Sequence, residues 1–386
     1  MVASCSQSPV ATPPTRAGSP QHAAPHTLSK YRILYSFDGV EGSHPTGTLA
    51  NYRNIMYGTT TDGGDKGLGT VFHAQPDGKN SFRTDSFNSA TGCNPIGGGV
   101  FANRSSAFWG TTTSCGNSLK NGTLYGADIS FKRITLKHAF DLDNEGGHPY
   151  GILCQIGDTF YGTARDGGAN GNGTFYSFKG DSLTVLHAFG AGDDGANPMA
   201  GCTELNGKLY GTTYGGGAAG VGAIYEFDPT SGKETVVHSF DTADGARPAV
   251  TLLAWNGMLY GVTSRGGVSS AGVLFKADPA TGDTRVLYNF GSGDAVRPDG
   301  TLIVNKDALY GTTMLGGSTG KDDGTIFRYT PATKKYEELY AFSGKPDGAH
   351  PRGGLNFSFV DRQDQFFGTT YDGGLDDKGT AYSFVL

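Results

Sequence analysis

A proline recurs at positions 45, 95, 149, 198, 248, 298 and 351, and the residue before it changes from copy to copy: His44, Asn94, His148, Asn197, Arg247, Arg297 and His350. Arg247, Arg297, His350 and His44 become consecutive if the chain closes on itself. Guanidinium and imidazole groups gathered in one place suit a carboxylate- or hydroxyl-rich ligand, because the planar Arg fork bonds such groups two at a time. The competing reading pairs these cations with the carboxylates that stand three residues earlier. A second variable set follows each proline: Thr61, Thr113, Arg165, Tyr214, Ser264, Met314 and Tyr371, with Asp62, Asp166, Arg265 and Asp372 as their neighbours. Tyrosine beside Asp and Arg can stack on a sugar ring and hydrogen-bond its hydroxyls. Scattered surface tyrosine is the plainer explanation in a chain that carries 19 of them.

Four residues before each proline stands a carboxylate in six copies, Glu41, Glu145, Asp194, Asp244, Asp294 and Asp347, with Thr91 in the remaining one. Such a ring could hold cations. Near-uniformity favours turn capping instead, since Asp before Gly commonly bonds its own backbone. No Asp-x-Asp-x-Asp loop is present, so no cofactor is expected, and calcium is the one ion the ring would suit. Nucleophile elbow, His-Glu-x-x-His, phosphate loop and dinucleotide fingerprint are all missing from the sequence. Carboxylate pairs recur because the repeat recurs, which says little about glycoside chemistry. No residue is assigned as catalytic.

The elements that position these residues are strands. Glycine is abundant, at 63 of 386 residues, and only 17% of the chain is charged, a composition suited to short strands and tight turns rather than long helices. Three further landmarks repeat in fixed order. An aromatic-Gly run begins at Tyr57, Trp109, Tyr161, Tyr210, Tyr260, Tyr310 and Phe367. A Gly-Thr-x-aromatic run ends at Phe72, Tyr125, Tyr176, Tyr225, Phe275, Phe327 and Tyr382. A third run ends at Phe37, Phe87, Phe140, Phe189, Phe240, Phe290 and Phe342. Asn206-Gly207 and Asn256-Gly257 are hairpin-turn dipeptides between the proline run and the aromatic-Gly run. Each unit therefore reads as four antiparallel strands: a after the proline, b through the aromatic-Gly run, c through Gly-Thr-x-aromatic, d ending in Phe.

That pattern predicts an all-β, seven-bladed β-propeller over residues 31–386. The chain enters on a d strand, Tyr31 to Phe37, and leaves on a c strand, Gly379 to Phe384, so the N-terminal outer strand joins the C-terminal blade and closes the ring. The strand order puts the d-to-a and b-to-c loops on one face. Their length and variety mark it as the binding face.

These runs resemble the GloVer tandem repeat. Leu-Tyr-Gly-Thr-Thr, a Gly-Gly loop, Gly-Thr-x-Phe, Leu-His-x-Phe and Asp-Gly-x-x-Pro follow its order from residue 31 onward, and the second blade departs from it with Trp109 and Ser114-Cys115-Gly116. The resemblance implies an exported bacterial propeller of the choice-of-anchor kind. It implies no defined activity.

Residues 1–30 are rich in Pro, Ser, Ala and Thr and read as a disordered leader or linker. Val2-Ala3-Ser4-Cys5 looks like the end of a lipoprotein signal without the regions that should precede it. Cys5 is thus a candidate lipid anchor, and an ordinary linker cysteine is as good a reading. Cys93 and Cys115 fall in loops of one blade and one face and could bond, as an exported protein allows, while Cys154 and Cys202 read as buried small hydrophobes on inner strands. A net charge of −6 with no basic stripe argues against nucleic acid, and no apolar run is long enough to span a bilayer as a helix.

The expectation is a monomeric, non-catalytic, exported or surface-anchored propeller, touching a membrane only through the lipid, that binds a glycan or protein ligand on its loop-rich face. A polysaccharide hydrolase or lyase at the channel mouth and a protein-interaction scaffold stand as alternatives.

Overall fold

The computed structural model describes residues 28, 31–76, 82–102, 106–116, 120–130, 133–190, 192–291, 295–360 and 362–386. Cys5 and the carboxylate of Asp294 lie outside the described residues. Among those described there is no helix. Seven antiparallel four-stranded sheets form a ring, a seven-bladed β-propeller. The fourth blade shows the plan. Thr203–Leu205, Lys208–Thr213, Ala223–Asp228 and Lys233–Ser239 run from the axis outward as strands a to d, in registers such as Thr203↔Tyr210 and Leu209↔Phe227. The ring closes where Arg32–Ser36 pairs with Thr380–Val385, Ile33 opposite Tyr382. Leu28, within the stretch read as a leader, is buried in the apolar cluster beside Tyr31.

The repeated landmarks are explained by one seam. The Gly of each Gly-Thr-x-aromatic run accepts the N–H of the Phe that ends strand d, as Gly379 does from Phe37 at 3.0 Å and Gly173 from Phe189 at 3.0 Å. The next blade's proline packs on the same glycine. A Cβ on Gly379 would lie 2.7 Å from Pro45 Cδ, and its φ of +90° already excludes most side chains. All seven Phe residues are fully buried, each worth about 1.5–3 kcal/mol of apolar burial. The Gly of the aromatic-Gly run makes room for the strand c ring: a Cβ on Gly211 would meet the Tyr225 hydroxyl at 2.3 Å. The threonines after it divide two tasks. Thr163 reaches Ala200 O of the next blade at 2.9 Å, while Thr60, one place further along its own strand, bonds Thr70 across the pair at 2.9 Å and caps its b-to-c loop at Asp62 O.

Two disulfides are present. Cys93 and Cys115 join the d-to-a and b-to-c loops of the second blade, with Cα atoms 5.3 Å apart. Cys154 and Cys202 correct the sequence reading: they are bonded, with Cα atoms 5.6 Å apart, not separate hydrophobes. The reason is that strands a converge on the axis, so inner-strand residues of neighbouring blades come within disulfide reach.

Candidate functional site

The residues before the seven prolines share one left-handed backbone conformation, with φ between 52° and 60°. For a residue with a side chain this costs about 1–2 kcal/mol, and a repeated inter-blade bond offsets it. Each of their N–H groups donates to a carbonyl in the preceding blade's b-to-c loop: His44 to Lys378, Arg247 to Val221 and Arg297 to Ala271, at 2.8–2.9 Å. The backbone is therefore architectural and the side chain is free to vary.

The side chains go two ways. The histidines stay on the rim and pair with b-to-c loop carboxylates: His44 Nδ1 with Asp62 at 3.2 Å, His148 Nδ1 with Asp166 at 3.0 Å and His350 Nδ1 with Asp372 at 2.8 Å. This corrects the expectation that they pair with carboxylates three residues earlier. Several of those earlier groups are spent on strand d and its turn. Glu145 takes His138 Nε2 at 2.7 Å, Asp244 takes His238 Nε2 at 2.8 Å, and Asp347 takes the hydroxyls of Tyr31 and Tyr340, both at 2.9 Å. The arginines enter the mouth. Arg247 donates to Tyr214 O at 3.1 Å, and Arg297 Nε lies 3.4 Å from Asp299 Oδ2.

One cavity of about 970 Å³ occupies the channel mouth on this face. Of the sequence candidates, Arg165, Tyr214, Arg247, Arg297 and Tyr371 line it, whereas His44, His148, His350 and Asp372 do not. His44 still touches the site, its ring stacked on Tyr371 at 4.8 Å. The residue after each proline was missed. Tyr150, Asp299 and Arg352 occupy that place, and all seven residues there line the cavity. The signal was available, since this position varies as much as the one before it: Thr46, Ile96, Tyr150, Met199, Ala249, Asp299 and Arg352.

Electrostatically the mouth is cationic. Arg165, Arg247, Arg265, Arg297 and Arg352 line it, with Asp299 the single carboxylate among its described lining residues. Burial pushes the Asp299 carboxyl up, and the charges of Arg297 and Arg352 pull it partly back. Three guanidinium groups lie on aromatic faces: Arg165 on Tyr150 at 5.2 Å, Arg247 on Tyr214 at 4.9 Å and Arg352 on Tyr371 at 4.0 Å. Each of these tyrosines is a cation–π partner for its arginine, and Arg165 also donates to the Tyr150 hydroxyl at 3.1 Å and to Asp166 Oδ1 at 3.2 Å.

The sequence profile described as the Gloeobacter/Verrucomicrobia repeat matches residues 24–223, 155–321 and 205–386. No curated protein matches. Among solved structures, a chain of a mitotic checkpoint complex has a TM-score of 0.58 at 11% identity, covering 97% of each chain. Oligogalacturonate lyase in complex with manganese has a TM-score of 0.57 at 12% identity, covering 94% of this chain and 98% of its own. TolB from Acinetobacter baumannii has a TM-score of 0.46 at 17% identity, and the chain spans 62% of its length. Likeness at these identities is one of fold.

Proposed function

The chain belongs to the Gloeobacter/Verrucomicrobia repeat family, and we propose that it is a non-catalytic, exported propeller that holds a carboxylate-bearing glycan over its channel mouth. The observation that carries this reading is the convergence of five arginines on one cavity with a single described carboxylate among its lining. A uronate offers a planar carboxylate to the Arg fork and hydroxyls to Thr46, Thr61, Thr251 and Ser264 around it. The volume stands at the upper end of the roughly 300–1,000 Å³ of small-ligand sites. Two disulfides support export, since such bonds persist in oxidising compartments. The test is calorimetric titration with an oligouronate. Arg247→Ala and Arg297→Ala are expected to abolish binding while the fold persists; unchanged binding in both variants contradicts the proposal.

Asp299 favours a second reading, catalysis. A half-buried carboxylate with a raised pKa in a cleft has the character of a general base, and a lyase needs one base where a glycosidase needs two carboxylates. Unsaturated products from an oligouronate, absent with Asp299→Asn, are the result that establishes it.

A further inference from the structure

We propose that His187, Asp194 and Glu234 form a binding site for one divalent first-row transition-metal ion at the outer edge of the interface between the third and fourth blades. Their ligand atoms all lie within 4.8 Å of one another. His187 Nε2 is 3.1 Å from Asp194 Oδ2 and 3.8 Å from Glu234 Oε2.

Comparison between blades separates what the repeat needs from what this interface adds. A pair between strand d and the following loop carboxylate recurs as His138–Glu145, His238–Asp244 and Tyr340–Asp347. It is architecture. Glu234 departs from the pattern. It stands six residues before the Phe that ends its strand, where Ile134, Leu183 and Thr284 stand in other blades. At two further interfaces that place holds a tyrosine stacked on its neighbour, Tyr31 on Tyr340 and Tyr336 on Tyr288. Only here does a carboxylate fill it, and it faces a pair that already has its own carboxylate.

Glu234 is poorly provided for without a cation. Its side chain is 9% exposed. Its Oε1 is buried with no hydrogen-bond partner, and Oε2 lies beyond hydrogen-bond reach of His187. Burial, then the charge of Asp194, pushes its carboxyl up to about 7. A buried carboxylate left this way is costly, and a bound cation would supply the missing charge. The spacing suits one. Ligand atoms about 2.1 Å from a tetrahedral ion sit about 3.4 Å apart, and the two distances to His187 bracket that value. Asp194 is already oriented, since the N–H groups of Gly190 and Gly195 each donate to it at 2.7 Å. Imidazole with two carboxylates suits zinc, manganese or cobalt, whereas calcium prefers six to eight oxygens. His187 and Asp194 are about a quarter exposed, which leaves a path for the ion. The same pair of blades is joined near the axis by Cys154–Cys202, so a metal would fasten the interface at its outer edge as well.

The test is titration of the chelator-stripped full-length chain with Zn²⁺, with Ca²⁺ as comparison. One saturable Zn²⁺ equivalent is expected, weakened more than about tenfold by Glu234→Gln and by His187→Gln and unchanged by His238→Gln, which breaks the equivalent pair in the next blade. Glu234→Gln preserves side-chain shape, so the comparison does not hang on the histidine variant folding. No Zn²⁺ binding, equal binding by the Glu234→Gln variant, or equally tight Ca²⁺ overturns the assignment.

Discussion

The guanidinium carbon of Arg352 lies 4.0 Å from the ring centroid of Tyr371, while Nε of the same arginine is buried with no hydrogen-bond partner. A cation is thus held against an aromatic ring in the channel mouth with a donor unspent. Its charge, with that of Arg297, only partly offsets the burial that raises the Asp299 carboxyl, the single carboxylate among the described residues that line the mouth.

Arg352→Lys keeps the charge and loses the planar fork. Affinity for an oligouronate is expected to fall by roughly tenfold to a hundredfold, the worth of one charge-assisted hydrogen bond of about 1.5–3 kcal/mol. Titration at two salt concentrations checks it. An unchanged affinity places the carboxylate elsewhere.

The hydroxyls of Tyr125, Tyr176, Tyr225 and Tyr382 are buried without partners, and Phe72, Phe275 and Phe327 fill the same repeat position. Burial holds these phenols well above their ordinary pKa, so they stay neutral. Tyr176→Phe is expected to leave stability unchanged or raise it by up to about 1 kcal/mol. Denaturant unfolding measures it, and a loss of stability means that the hydroxyl has a partner.

Gly173 tests the seam between blades. A Cβ there would lie 2.5 Å from Ala164 O and 2.7 Å from Pro198 Cδ, whereas one on Gly157 meets nothing within 4 Å. Both glycines have positive φ, +95° at Gly173 and +57° at Gly157, so both substitutions strain the backbone and Gly173→Ala adds the close approach. Gly173→Ala is expected to cost at least about 2 kcal/mol more than Gly157→Ala, read as the difference in unfolding midpoint. Equal losses contradict the seam.

Glu234 gives a pH signature in metal-free buffer. Its folded pKa is raised to about 7 from an ordinary 4.5. The stability linked to its proton is therefore fully present below about pH 4.5 and lost as pH rises through about 7. Glu234→Gln cannot lose that proton. The variant is expected to melt higher than the parent at pH 8 and alongside it near pH 4.5, and a gap that does not depend on pH contradicts the account.

Fold and site differ in how far the sequence reveals them. Blade number, strand order and closure are visible because each landmark performs one task seven times: the Gly that takes the Phe N–H also takes the next proline, so neither residue can drift. Arg247 and Arg297 stand out because they vary where their neighbours do not. Tyr150, Asp299 and Arg352 obey the same rule two residues later, on the other side of the proline, and which of the two variable positions faces the mouth depends on the left-handed turn before the proline. That turn is invisible in residue identity, since His, Asn and Arg all adopt it. The Cys154–Cys202 bond and the meeting of Glu234 with His187 depend on distances between blades, which a repeat pattern within one blade does not encode.

The most direct measurement is a thermal-shift titration of the full-length chain against a matched pair: an oligouronate and the neutral oligosaccharide of the same length. Binding to the native state raises the unfolding midpoint by mass action. The account predicts a saturable rise with the uronate that weakens with added salt, and none with the neutral sugar. Equal shifts with both, or none with either, would contradict a mouth built for carboxylates.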